Sequence, residues 1–256
     1  MRFPIIAATC ILPLMVASID QAPAEPTDVE VRVMARGAKF LGGYAAPVRV
    51  LLTDADTGEI LARGLTAGTT GDTGTIMAAG NAMAATLSSK DSAVFRTTLE
   101  IDRPRRVTLS VTGPLSQPQA TTTATSTQWI LPGHPLTAGD GWRMELPGLI
   151  VDLVSPAAYR RAKAGAGISL LASVTMLCGC AISSNGPWRA DMTEVEAYVT
   201  VDGGAPRRYR LDFDPETALF GAAIRTDTSG LYEVDIRAWM GESNNAGVAH
   251  TAFFVD

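Results

Sequence analysis

Apolar and polar side chains alternate with a period of two along most of this chain. The longest such run is residues 168–182, reading ISLLASVTMLCGCAI. Ile168, Leu170, Ala172, Val174, Met176, Cys178, Cys180 and Ile182 fall on one side of it. Ser169, Leu171, Ser173, Thr175, Leu177, Gly179 and Ala181 fall on the other. This is the signature of a β-strand with one buried face, and it predicts a central core strand. The run is longer than an ordinary strand. Regular strand is therefore expected to end near Leu177, with 178–182 forming a bulge or rim.

Shorter runs surround it. Residues 28–34, 47–53, 60–65, 93–102, 107–112 and 120–131 read as strands, the last rich in threonine, which suits a pleated surface. Breaks at Pro132-Gly133 and Gly139-Asp140-Gly141 follow. After them come 142–146, 149–154, 194–201, 207–213, 219–226, 230–238 and 247–255. Residues 157–166 read as a loop or one helical turn. Residues 54–59 hold the Asp and Gly of a hairpin turn. Residues 66–91 begin as a Gly/Thr-rich loop and continue with enough Ala and Met for a short helix. Many short strands, frequent turn signals and no long helix predict an all-β chain. The expected architecture is two tandem antiparallel β-sandwich domains, 25–140 and 141–256.

The end of the chain resembles the last two strands of bacterial immunoglobulin-like and fibronectin-type-III-like domains. Residues 230–238 match the penultimate strand, and Tyr232 stands where such domains often carry a corner tyrosine. Residues 54–59 are similar to a common hairpin of that class. The resemblance implies an immunoglobulin-like fold and says nothing of function, because such sandwiches host many roles. The Cys…Trp…Cys pattern of antibody domains is absent, so no inter-sheet disulfide is carried over.

Composition narrows the function classes. The 256 residues are 46% hydrophobic and 18% charged, with net charge -5. The short arginine clusters at 103–106, 160–161 and 207–208 suit solvated edges and turns. No basic run could neutralise a phosphate backbone, so nucleic acid is not an expected partner. The N-terminus reads as a signal peptide, residues 1–24. Arg2 supplies the positive end, 3–17 the apolar stretch and Ala22-Pro23-Ala24 a small-x-small cleavage site. The apolar stretch is short for a membrane span and carries two prolines. Ala7-Ala8-Thr9-Cys10 lacks the usual leucine of a lipoprotein box. The mature protein is expected to begin near Glu25 in the periplasm, or secreted, with no membrane span.

Catalytic signatures are missing: no nucleophile elbow, zinc-protease helix, phosphate loop or dinucleotide fingerprint occurs. There are two histidines. His134 sits in a rigid Pro-Gly-His-Pro loop, and His250 reads as a packed residue of the last strand. Asp54 to Gly58 has the first half of a calcium loop but no closing glutamate. The sharpest candidate is Cys178-Gly179-Cys180, and three readings compete. Both thiols fill the core face as small hydrophobes. Or they form a disulfide in an oxidising compartment, across the roughly 6.5 Å between alternate strand residues. Or, with Met176, they make a Met-x-Cys-x-Cys stripe whose soft sulfurs select copper as Cu(I). The expected role is a non-catalytic binding or assembly protein acting on an unidentified protein or small ligand. The alternative is a periplasmic soft-metal or thiol-redox accessory protein using Met176, Cys178 and Cys180.

Overall fold

A computed structural model describes residues 23–79 and 86–256. The expected signal peptide, apart from Pro23 and Ala24, lies outside the described residues, as does part of the Ala/Met-rich stretch at 80–85. Among the described residues no helix is long and apolar enough to cross a membrane.

The first half of the chain builds a pair of sheets. Its elements are β1 (Glu25–Ala35), β2 (Arg49–Asp54), β3 (Ile60–Leu65), α1 (Thr73–Ala78), β4 (Phe95–Ile101), β5 (Arg105–Gly113), β6 (Thr122–Ile130) and β7 (Trp142–Leu146). One sheet has the order β4-β1-β7, the other β3-β2-β5-β6. Alternation does the work that it predicts. Val29, Val31 and Val33 of β1 point inward, as do Val50 and Leu52 of β2 and Val107, Leu109 and Val111 of β5. Each such buried side chain contributes about 1.5–3 kcal/mol through the water it leaves.

Strand 142–146 corrects the expected boundary near 140. β7 pairs parallel with β1, Val31 opposite Trp142 and Ala35 opposite Leu146. The chain changes from one pair of sheets to the next at Pro147-Gly148. Gly and Pro near 140 mark only a loop before the last strand of the first pair. Parallel pairing of the first and last strands is also invisible to a local reading, which expects antiparallel neighbours.

The second pair of sheets comprises β8 (Leu149–Ser155), β9 (Arg161–Ala162), β10 (Gly167–Met176), β11 (Thr193–Val201), β12 (Arg207–Arg210), β13 (Asp212–Asp214), β14 (Leu219–Arg225), β15 (Gly230–Met240) and β16 (Asn245–Val255). The orders are β8-β10-β14-β13 and β12-β11-β15-β16-β9. These follow the A-B-E-D and C-F-G arrangement of an immunoglobulin-like sandwich. The first pair has the same two-layer build with a different strand order. The run at 207–213 splits because Leu211 is buried and its N–H bonds to Val195 O, so β12 joins one sheet and β13 the other. The buried apolar residues of both pairs form one continuous cluster.

Local chemistry fixes the turns. Asp54 closes the β2–β3 hairpin: its Oδ1 accepts the N–H groups of Asp56 and Thr57, and its Oδ2 accepts from Arg105. The calcium-like residues are thus the cap of a turn. In the 66–91 segment the helix starts earlier than its Ala/Met content suggests. Asp72 accepts from Thr75 N–H and Oγ1–H and so nucleates α1 in the Gly/Thr half. Tyr232 fulfils the corner role: it is buried at the start of β15, and its hydroxyl donates to Thr228 O at 2.8 Å.

Two predictions follow from these contacts. Tyr232→Phe should lower unfolding free energy by about 0.5–1.5 kcal/mol, since the buried Tyr232 loses its hydrogen bond to Thr228 O, with an unchanged slope in urea unfolding. For Asp54, the Arg105 guanidinium, helped by the Thr57 N–H, holds the carboxyl well below the usual carboxylate range. A depressed pKa adds stability that is complete above the unfolded value of about 4 and is lost as pH falls toward the folded one. The difference in Tm between wild type and Asp54→Asn should therefore shrink as pH is lowered from about 6 to about 3. A constant difference would show that the carboxylate charge does not matter there.

Candidate functional site at the junction of the two sandwiches

Regular strand β10 ends at Met176, one residue before the expected Leu177. Gly179 N–H then donates to Met176 O at 2.8 Å, and Met176 N–H donates to Cys180 O at 3.0 Å. Leu177, Cys178 and Gly179 are the loop of a tight hairpin, and Gly179 takes the left-handed conformation at φ 76°. This is the three-residue hairpin in which a turn is completed by a left-handed glycine. Thr175 pairs with Ala181 beyond it. The perfect alternation of 168–182 therefore hides a reversal of the chain.

The reversal decides how the cysteines meet. Their Cα atoms are 5.4 Å apart, at disulfide distance and closer than alternate residues of a flat strand. Cys178 is 2% exposed, and Cys180 is half-buried. Met176, the third sulfur of the expected metal stripe, is fully buried. Among the described residues no group of three or more His, Cys, Asp or Glu side chains is arranged to hold a metal.

The hairpin stands at the end of the second sandwich that faces the first. Gly179 lies under the ring of Tyr44, from a single helical turn at Gly43–Ala45. Leu177 packs beside Gly148 of the connection. The next loop, 183–190, is folded by Ser183 N–H to Trp188 O and Ala190 N–H to Ser183 O, both at 3.0 Å. That fold aims Trp188, whose indole N–H donates to Gly37 O of the first sandwich at 2.9 Å.

Asn245 at the start of β16 completes the junction and is fully buried. Its amide oxygen accepts Gly148 N–H at 2.9 Å. Its amide nitrogen donates to Arg36 O and to Ser243 Oγ, each at 2.9 Å. One side chain thus holds the connection, the β1 turn and its own loop. Ser116 Oγ to Tyr44 O and Gln119 Nε2 to Asp152 Oδ1 tie the rim. Sequence reading missed Asn245, because Asn244-Asn245 looks like ordinary turn chemistry.

Other sequence candidates lie elsewhere. His134 is exposed, with Nδ1 2.7 Å from Pro132 O. His250 is not packed as expected: it faces solvent on β16, its Nδ1 2.9 Å from Asp235 Oδ1. Alternation puts it on the outer face, while Thr251 and Phe253 turn inward. Residues 87 and 88 are held by Asp140, which accepts from Leu87 N–H and Ser88 N–H and pairs with Arg143. Burial alone would raise the Asp140 pKa. The Ser88 and Leu87 N–H groups and Arg143 outweigh it, so the carboxyl is held below its ordinary value.

No family model matches the chain, and no curated protein matches it. Among solved structures the chain is similar to the fibronectin(III)-like modules of Clostridium thermocellum CbhA. Identity there is 12%, over 93% of this chain and 92% of that one, with a TM-score of 0.29. It is similar to titin domains Z1Z2 in complex with telethonin at 15% identity, covering 91% and 96%, TM-score 0.27. The ICAM-5 D1–D4 ectodomain fragment gives 14%, 92% and 51%, TM-score 0.25. These neighbours are of the fibronectin-type-III-like and immunoglobulin-like class that the sequence resembles. No residue role is taken from them.

Asn245→Ala should destabilise by roughly 1–3 kcal/mol, because the partly buried Gly148 N–H and Arg36 C=O lose their partner and a cavity replaces the amide. Gly179→Ala should cost about 1–3 kcal/mol through its left-handed backbone. A Cβ there would also stand 2.9 Å from Tyr44 Cδ1. Urea unfolding of both variants checks these values, and a neutral Asn245→Ala would remove the junction's central contact.

Proposed function

We propose that this chain is an exported, non-catalytic binding or assembly protein built of two tandem sandwich domains, divided at Pro147-Gly148. The observation that carries the reading is the junction. Asn245, Trp188 and the Cys-Gly-Cys hairpin hold one sandwich against the other through backbone groups of both. A fixed pair of sandwiches with exposed outer sheet faces suits presentation of a surface to a partner, because little ordering entropy is left to lose on binding. Export fits the N-terminal pattern of residues 1–24 and a Cys178–Cys180 disulfide, which persists in an oxidising compartment. The disulfide is the reading that the hairpin geometry supports best for the two cysteines.

The soft-metal reading, with Met176, Cys178 and Cys180 on copper, needs free thiolates. A disulfide removes them. Thiol–disulfide exchange remains chemically open to the same pair, with Cys180 as the more accessible sulfur.

Three measurements test this. N-terminal sequencing of the exported protein should begin near Glu25; an intact leader confined to the cytosol would overturn export. Thiol labelling of native protein should modify Cys178 and Cys180 only after reduction. Labelling without reduction, with copper bound by wild type and not by Cys178→Ser, would support the metal reading instead. Crosslinking in an extract of exported proteins should trap the same partner with wild type and with the Cys178→Ser, Cys180→Ser double variant. Loss in a folded double variant would move function to the thiols.

A further inference from the structure

The β5–β6 half of the outer face of the β3-β2-β5-β6 sheet has an unusual composition, while the β2–β3 half carries Arg49 beside Thr112 and Arg63 beside Leu51. No Asp, Glu, Lys or Arg occurs between Arg106 and Asp140. Surfaces of soluble domains are usually about a quarter to a third charged. Within this stretch β5 and β6 lie side by side with Thr108 opposite Thr127, Ser110 opposite Thr125 and Thr112 opposite Thr123. Their inward neighbours on β5 are the buried Val107, Leu109 and Val111, so these six residues all face outward. The result is a ladder of hydroxyls, three rows deep and two strands wide. The end rows are closed by Thr108–Thr127 and Thr112–Thr123 hydrogen bonds of 2.9 Å. Rows on one strand repeat at about 6.8 Å.

The next row carries Trp129 opposite Arg106. Trp129 is 62% exposed. Its ring stands on the same face as the hydroxyls, at the end of the ladder. The outer face of the β12-β11-β15-β16-β9 sheet is quite different. There Arg208 pairs with Glu196, Arg237 stacks over Tyr198 and His250 meets Asp235. That face also carries an exposed indole, Trp239, but it stands among charged neighbours, opposite Glu194 and in line with Arg237 and Asp235.

We infer that the β5–β6 face binds a neutral polysaccharide chain, with Trp129 as the stacking platform and Thr108, Ser110, Thr112, Thr123, Thr125 and Thr127 as the hydrogen-bonding floor. This names the ligand class of the binding role proposed above and rests on that role. The chemistry matches on three counts. Hydroxyls donate and accept, as sugar hydroxyls do. The aromatic face offers the apolar surface that the C–H face of a pyranose covers. None of the six ladder residues is charged, and of the arginines that border them Arg106 is paired with Asp56 and Arg49 stands at the far end beside Thr112, so an uncharged ligand lies over the hydroxyls with no charge beneath it to desolvate. A flat floor rather than a closed pocket suits a chain laid across it. The uncharged edge strand β6 also invites pairing with a second copy. That pairing would use the β6 backbone and would not call for hydroxyls on β5 or for an exposed Trp129.

The test is affinity electrophoresis of the mature protein in gels containing hydroxyethylcellulose, laminarin, glycol chitin or alginate. Retardation is expected with at least one of the three neutral polymers and not with alginate. Trp129→Ala should weaken it roughly tenfold, as loss of a central aromatic anchor does. The Ser110→Ala, Thr125→Val pair should weaken it several-fold without changing Tm. No retardation by any neutral polymer, or equal retardation of Trp129→Ala, overturns the inference. So does sedimentation showing that Trp129→Ala merely dissolves a dimer. A partner trapped by crosslinking without polysaccharide retardation would sink this inference and leave the binding role standing.

Discussion

Asn245 is a buried side-chain amide, and two of its three hydrogen bonds reach the connection and the first sandwich. It takes the N–H of Gly148 from the connection and gives its own to Arg36 O of the first sandwich. Each such bond to a buried side chain is worth about 0.5–1.5 kcal/mol. One side chain thus joins the connection to the first sandwich. Trp188 repeats the device one residue further on, at Gly37 O. Around both, Leu146, Leu149, Leu177 and Met240 are buried, so the apolar core runs through the junction without a gap.

The Cys-Gly-Cys hairpin belongs to the same constraint. A left-handed glycine is needed to bring Cys180 back beside Met176, and the absence of a side chain there lets Tyr44 rest on the turn. The feature that looks most like chemistry in the sequence is thus also a packing device. Its two sulfurs sit where the domains touch, so any change in their bonding would be felt at the junction first.

The two sandwiches differ in what they show to solvent. The second covers an outer sheet face with paired charges and a cation over an aromatic ring. Over β5 and β6 the first offers a strip of neutral hydroxyls beside the exposed Trp129. Charge on sheet surfaces and edges keeps soluble proteins apart, so its omission from residues 107–139 is a feature to be explained by what the face meets.

The sequence by itself determined the strands. A period of two needs no tertiary information, and 60–65 and 142–146 fall where the alternation puts them. Tyr232 was legible for a similar reason, since its hydroxyl reaches only a few residues back to Thr228. The tertiary structure alone decided three things. It gave β7 to β1, because parallel pairing across more than a hundred residues leaves no local mark. It turned the chain at Cys178, because a hairpin with three loop residues preserves alternation on both sides and so looks like one strand. It made Asn245 central, because an asparagine in a turn-rich stretch is read as a turn until the groups that it satisfies are brought to it from both sandwiches.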